Sequence, residues 1–215
     1  MPPKFLYFDL GNVLLSFSHT HMCEQMAEVA NVSAEVVREA LFDNDDAKSA
    51  QWQYESGHLT TEEFFSYLCD RIATRPDRGK IELAACDIFA PIEPMMNLAR
   101  QLAASGNRLG ILSNTNSLQW EYITDGRFPD LATIGQPGGL FEFAVLSYEA
   151  GSMKPDHHIY DLAIEQAGCR ASEIFFTDDR QDNVAGARAV GIDVVHFVDA
   201  EQLISELRQR NVPGA

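Results

Sequence analysis

Short apolar runs at residues 4–8, 108–112, 143–146, 174–177 and 194–197 alternate with amphipathic stretches long enough for helices. That alternation restricts the fold more than any other feature. Parallel strands need crossover connections, and a series of strand–helix units folds as a parallel sheet with helices on both faces. The expected helices carry ordinary start and stop signals. One opens near Pro94 and closes at Gly106. Another opens at Pro155-Asp156, turns Ile159, Leu162 and Ala163 inward, and ends at Gly168. A third covers about residues 183–190 and stops at Gly191, and a last one covers about 200–210. The expected fold class is α/β, with a Rossmann-like, doubly wound parallel sheet.

Residues 17–90 break the rhythm, reading as successive helices with no convincing strand. Thr60-Thr61-Glu62-Glu63 has the spacing of a capping box, after which Phe64, Phe65, Leu68 and Ile72 share one helical face. Ser33 is placed to cap a helix carrying Val36, Val37, Ala40 and Leu41. A helical insert directly after the first strand implies a small second domain over that strand's C-terminal end, where open α/β sheets bind ligands. The alternative is an extra helical layer packed on the sheet. The division expected is a core of residues 1–15 and 91–215 with a cap of residues 16–90. Residues 124–140, rich in Gly, Pro and Asp, read as a long loop.

Composition excludes several classes. The formal net charge of −16 opposes nucleic-acid binding, which depends on Lys and Arg neutralising phosphates. No apolar run approaches the roughly 18 residues of a membrane span, and the N-terminus is too briefly apolar for a signal peptide. The expected location is the cytoplasm. Cys23, Cys69, Cys86 and Cys169 show neither C-x-x-C nor zinc spacing and read as small apolar residues. Asp43-Asn44-Asp45-Asp46 lacks the Gly and distal Glu of a calcium loop, and Gly106-Asn107-Arg108-Leu109-Gly110 precedes a strand, so it is no dinucleotide fingerprint.

Four segments stand at or near the C-terminal ends of the predicted strands: Asp9; Ser113-Asn114-Thr115-Asn116; Lys154; and Asp178-Asp179 with Asp182. A doubly wound sheet brings such ends to one edge. Carboxylates from two strand ends suit Mg²⁺, a hard ion that prefers oxygen. Metal and Lys154 would offset phosphoryl charge, Ser113 would orient the group, and one carboxylate could attack it. Taken singly, each has a plainer reading. Asp9 could be a turn former, Ser113–Asn116 a polar cap, Lys154 a solvated side chain, and Asp178-Asp179 a helix cap.

In order and placement, the four segments resemble the four motifs of the haloacid dehalogenase (HAD) superfamily, over nearly the whole chain, and the insert sits where that family carries a C1-type cap. The resemblance implies a Mg²⁺-dependent phosphatase acting on a small phosphorylated metabolite. It implies Asp9 as nucleophile and metal ligand, with the Gly11 carbonyl as a second ligand. Ser113 and Lys154 would be catalytic and would bind phosphate with Asn114, Gly11 and Asn12. Asp178 would be the direct metal ligand and Asp182 its support, with Asp179 competing for the direct role.

One position departs from the pattern. Family phosphatases carry a second Asp, a general acid, two residues after the nucleophile; here that residue is Gly11. The Asp-Leu-Gly-Asn-Val form resembles an α-glucose-1-phosphate phosphatase-like subgroup, so a sugar phosphate is an expected substrate. The proton could also come from the cap, with His19 and His21 as candidates; if position 11 only lacks its acid, an Asp supplied there should help poor leaving groups and do little for p-nitrophenyl phosphate. Two alternatives stay open. A haloacid dehalogenase also lacks the second Asp, but usually has Tyr there and an Arg near the cap hinge. A non-catalytic phosphate-binding homologue would keep the site without turnover. Trp52 and Tyr54 in the insert either face substrate or pack internally.

Overall fold

The computed structural model describes residues 2–42 and 49–215. The segment Asp43–Asp46 weighed above lies outside them. Five strands, β1 (Phe5–Phe8), β4 (Leu109–Ser113), β5 (Phe143–Leu146), β6 (Ile174–Asp178) and β7 (Asp193–His196), form one parallel sheet in the order β5-β4-β1-β6-β7. All five expected runs are strands. β1 alternates Phe5 and Tyr7 toward one face with Leu6 and Phe8 toward the other, and every one is buried. An unbroken apolar run is therefore required, because helices cover both faces.

On one face lie α6 (Glu93–Ala104) and α11 (Ala200–Gln209); on the other lie α9 (His157–Ala167) and α10 (Gln181–Ala189). In α9 the buried positions are Ile159, Tyr160, Ala163 and Ala167, while Leu162 is only half-buried. Two short helices were not foreseen. These are α7 (Ser117–Thr124), capped by Asn116, whose Oδ1 accepts the Gln119 N–H, and α8 (Ser147–Ala150). The loop after α7 contributes Leu131 and Phe141 to the core.

The insert comprises α1 (His19–Ala30), α2 (Ala34–Phe42), α3 (Ala50–Glu55), α4 (Thr61–Arg71) and α5 (Arg78–Cys86). It has its own apolar cluster, including Met26, Leu41, Phe65 and Leu68. Thr60 and Glu63 form the expected capping box, and Ser33 Oγ accepts the Val36 N–H. Where the insert leaves and rejoins the core, β2 (Leu15–Ser16) pairs antiparallel with β3 (Ala90–Pro91). Two-residue strands leave no periodic trace, so sequence reading missed this tie. The four cysteines are free, Cys23 and Cys86 being buried.

Candidate active site

The chain leaves β1 on one side through β4 and β5, then crosses to β6 and β7 on the other. β1 is therefore the central strand, where the strand order reverses. The site forms at its C-terminal end. Asp9 follows β1 directly, its N–H donating to Thr177 O of β6 at 3.0 Å. Its Oδ1 accepts the Leu10 N–H at 2.7 Å and lies 2.8 Å from Lys154 Nζ.

Lys154 is 4% exposed, far drier than a solvated lysine before proline would be. An ammonium has three N–H donors, and all three have acceptors: Asp9 Oδ1 at 2.8 Å, Asp178 Oδ2 at 2.6 Å and Leu112 O at 2.8 Å. Its backbone is held by Asn114, whose Oδ1 accepts the Lys154 N–H at 2.8 Å while Nδ2 donates to Lys154 O at 3.0 Å. Asn114, expected on phosphate, thus has both polar atoms engaged in placing the lysine. Ser113 is buried on the cleft wall, with Oγ making one long hydrogen bond to Asn114 O at 3.4 Å.

Asp9, Asp178 and Asp179 place carboxylate oxygens within 4.8 Å of one another. Their environments differ. Asp178 is fully buried and accepts from Lys154, from Asn183 Nδ2 at 2.9 and 3.1 Å, and from the Arg180 N–H at 2.9 Å. Asp179 is half-buried and, among the described residues, its carboxylate accepts Asn12 Nδ2 alone, at 3.2 Å. Asn12 reaches it from a left-handed backbone, φ 56°, that Asn tolerates. Asp182 is exposed on the rim of the cleft and lies outside the three-carboxylate cluster. Asn183, one residue on, is the side chain that grips Asp178, and sequence reading passed over it. Its amide carries no charge to mark it out; only the first turn of α10 brings it onto the carboxylate.

Three carboxyl groups gather around the one ammonium of Lys154, with the Arg180 side chain on the wall of the same cleft. Burial, assisted by Asp178 and opposed by Lys154, pushes the Asp9 carboxyl up to about 7. Burial pulls the Lys154 ammonium down, but Asp178 and Asp9 outweigh it and hold the pKa above the usual lysine value. An all-oxygen set with surplus negative charge fits a hard divalent cation.

The cleft above these groups encloses about 640 Å³ between sheet edge and insert. The insert contributes Phe17, His19, Phe42, Trp52 and the polar pair Gln51 and Glu55. Burial, then the Arg180 charge, holds the His19 pKa below the usual imidazole value, whereas His21 is exposed and pairs with Glu24 at 3.6 Å. Trp52 lines the cleft, but Tyr54 is buried, with Oη 2.8 Å from Thr61 Oγ1.

The space beside Gly11 is filled. A Cβ there would stand 2.6 Å from Phe17 Cε1, and that ring packs edge-on against His19 with centroids 5.0 Å apart. Adding an acid at position 11 is therefore not the simple gain expected from sequence. Gly11→Asp alone should lower stability by ~1–3 kcal/mol through overpacking. Gly11→Asp combined with Phe17→Ala removes that clash and should hydrolyse poor leaving groups faster than Phe17→Ala alone. Thermal melts and rates on a series of aryl phosphates check both statements.

A profile of the haloacid dehalogenase-like hydrolase family matches residues 4–191. The chain is 28% identical to the sesquiterpene phosphatase of Aspergillus oryzae, over 96% of this chain and 95% of the relative. It is 22% identical to the D-ribitol-5-phosphate phosphatase of Bacteroides thetaiotaomicron, over 88% and 89% respectively. A crystal structure of a HAD family enzyme from Bacteroides thetaiotaomicron, in complex with magnesium and inorganic phosphate, superposes with a TM-score of 0.75 at 23% identity. The match covers 94% of this chain and 98% of that one.

Proposed function

We propose, from the premise that the chain belongs to the haloacid dehalogenase-like hydrolase family, that it is a Mg²⁺-dependent phosphatase of a small phosphorylated metabolite. The observation that carries this reading is Asp9 held by a buried Lys154 with two further carboxylates within 4.8 Å. Residues 16–90 are taken as the cap and the remainder as the core. Asp9, the Gly11 carbonyl and Asp179 would hold Mg²⁺, which when bound supplies positive charge against the phosphoryl oxygens. Asp178 is assigned instead to holding Lys154, because its oxygens already accept four hydrogen bonds. Asp182 is left on the rim as a surface carboxylate.

Asp9 attacks phosphorus in line, the ester P–O bond breaks, and an aspartyl-phosphate forms that water then hydrolyses. Lys154 keeps the attacking carboxylate oriented and offsets charge on the phosphoryl group, and Ser113 Oγ exchanges its long 3.4 Å hydrogen bond to Asn114 O for one to it. Two named relatives act on phosphate esters with very different alcohols, a terpenoid and a polyol. The cleft sets aromatic walls beside Gln51 and Glu55, so the proposed substrate class extends from sugar and polyol phosphates to larger alcohol phosphates.

The reading is tested by a panel of sugar, polyol and terpenoid phosphates with Mg²⁺ and with EDTA. Hydrolysis that EDTA abolishes supports it. Mg²⁺ binding without turnover on any ester supports the non-catalytic alternative, which Gly11 motivates. A pH dependence follows as well. A metal ligand must be deprotonated, and Asp9 titrates near 7 without metal, so Mg²⁺ affinity should weaken about tenfold per pH unit below that value. Calorimetric titration at pH 6 and pH 8 reads it directly.

A further inference from the structure

With Gly11 in place of an acid, the leaving alcohol needs a proton from elsewhere. We infer that Glu55, at the C-terminal end of α3 in the insert, protonates the leaving group and then takes a proton from the attacking water. The inference rests on the phosphatase reading above.

Three contacts fasten this end of α3 to the core beside the phosphate-binding loop. Ser147 Oγ donates to Glu55 O at 2.6 Å and accepts the N–H of Thr115, two residues beyond Ser113, at 2.9 Å. Tyr54 Oη accepts the Leu118 N–H at 3.3 Å, docking α3 on the start of α7. Gly57, at φ +75°, approaches the core so closely that a Cβ would lie 2.2 Å from Tyr148 O. Glu55 is thus set against the sheet edge by the core itself, and its side chain lines the same cleft as Asp9 and Ser113.

One carboxyl oxygen, Oε1, accepts Gln51 Nε2 at 2.7 Å, which orients the group on the cleft wall. The charged and titratable neighbours around the cleft are Arg180, Asp179, Asp182, Lys154 and Asp9 from the core and His19 from α1. Burial lifts the Glu55 carboxyl above its ordinary range, and the Gln51 hydrogen bond and the Arg180 charge moderate the rise. That direction favours the protonated form that a general acid needs, and the cleft position puts the carboxyl on the same side as Asp9 and Ser113. His19 is the weaker candidate, because burial and then the Arg180 charge lower its pKa and disfavour the protonated ring.

The steps balance. Asp9 bonds to phosphorus as the P–O(alcohol) bond breaks, and the Glu55 proton passes to the departing oxygen. Glu55, now a carboxylate, accepts a proton from water as that water's oxygen bonds to phosphorus. Phosphate leaves, with Asp9 free and Glu55 protonated again.

The test is Glu55→Gln, which keeps an oxygen for Gln51 and changes shape little. kcat/KM is measured with Mg²⁺ over aryl phosphates from p-nitrophenyl to unsubstituted phenyl, and on n-butyl phosphate. A proton donor predicts a loss that grows with leaving-group basicity, from under about tenfold on p-nitrophenyl phosphate to ~10²–10⁴-fold on the alkyl ester. It also predicts a burst of p-nitrophenol, because the second step has lost its base. Equal loss on every ester without a burst, or no loss, overturns the assignment. If the wild-type chain hydrolyses no ester, the phosphatase reading itself has failed. If wild type is active, Asp9→Asn is dead and Glu55→Gln loses rate uniformly, only Glu55 is misassigned.

Discussion

Asp9→Asn should abolish Mg²⁺-dependent hydrolysis while making the metal-free protein more resistant to heat. The first effect follows from the nucleophilic role proposed for Asp9, whose loss predicts a drop on the order of 10⁴–10⁶-fold. The second follows from the charge balance. Asp9, Asp178 and Asp179 face one ammonium, so without a cation the Asp9 charge is held in a dry site against like charges. Its pKa rises from 3.8 to about 7 on folding. The folded protein therefore keeps a proton that the unfolded chain has already released. The associated stability is whole below pH 4 and falls as pH rises toward 7. Asn carries no such cost. In EDTA at pH 8 the variant should melt higher than wild type, by roughly 3–8 °C for a chain of this size. Added Mg²⁺ should raise wild type more than Asp9→Asn, because a ligand that binds only the folded state stabilises it. A lower melting temperature for Asp9→Asn in EDTA would contradict the charge argument.

Lys154→Met should be the most destabilising substitution at the site. All three ammonium hydrogens are engaged, and removing them leaves Asp9 and Asp178 buried with no counter-charge. Breaking a buried pair in this way costs ~3–5 kcal/mol, or a melting temperature lower by roughly 6–20 °C. The sign of the pH dependence is fixed by both partners. The ammonium is fully charged at neutral pH and below, so the loss is largest near and above pH 7 and shrinks in acid as Asp9 takes up a proton. Mg²⁺ should restore part of the stability, since a cation again faces the carboxylates, but not the activity. Lys154→Arg should fail as well. A planar guanidinium cannot point three donors at Asp9, Asp178 and Leu112 O from the space a lysine head occupies. Thermal melts across pH, with and without Mg²⁺, distinguish these outcomes.

Much of the fold was legible because it rests on local patterns. The five sheet strands are short apolar runs, and α6, α9, α10 and α11 follow from apolar periodicity, closed at or just before Gly106, Gly168 and Gly191 and, for α11, before Asn211 in the left-handed region. The capping box at Thr60 needs only a four-residue spacing. The two-residue hinge strands, α7 and α8 are too short to leave a period, and they form because neighbouring chain satisfies their backbone groups.

Which residues meet at the sheet edge is legible in the strand pattern alone. A parallel sheet places strand ends together, so Asp9, Ser113 and Asp178 had to converge once the strands were recognised. What each residue does there was decided only by tertiary structure. Asn114 holds the Lys154 backbone, and Asp178 is bound by Lys154 and Asn183, which is why Asp179 is the carboxylate proposed for the cation. Phe17 closed the space at Gly11, and α3, fastened to Ser147 and Tyr148, brought Glu55 into the cleft. These outcomes depend on side chains competing for the same donors and the same volume. Residues far apart in the chain settle that competition, and no local pattern records it.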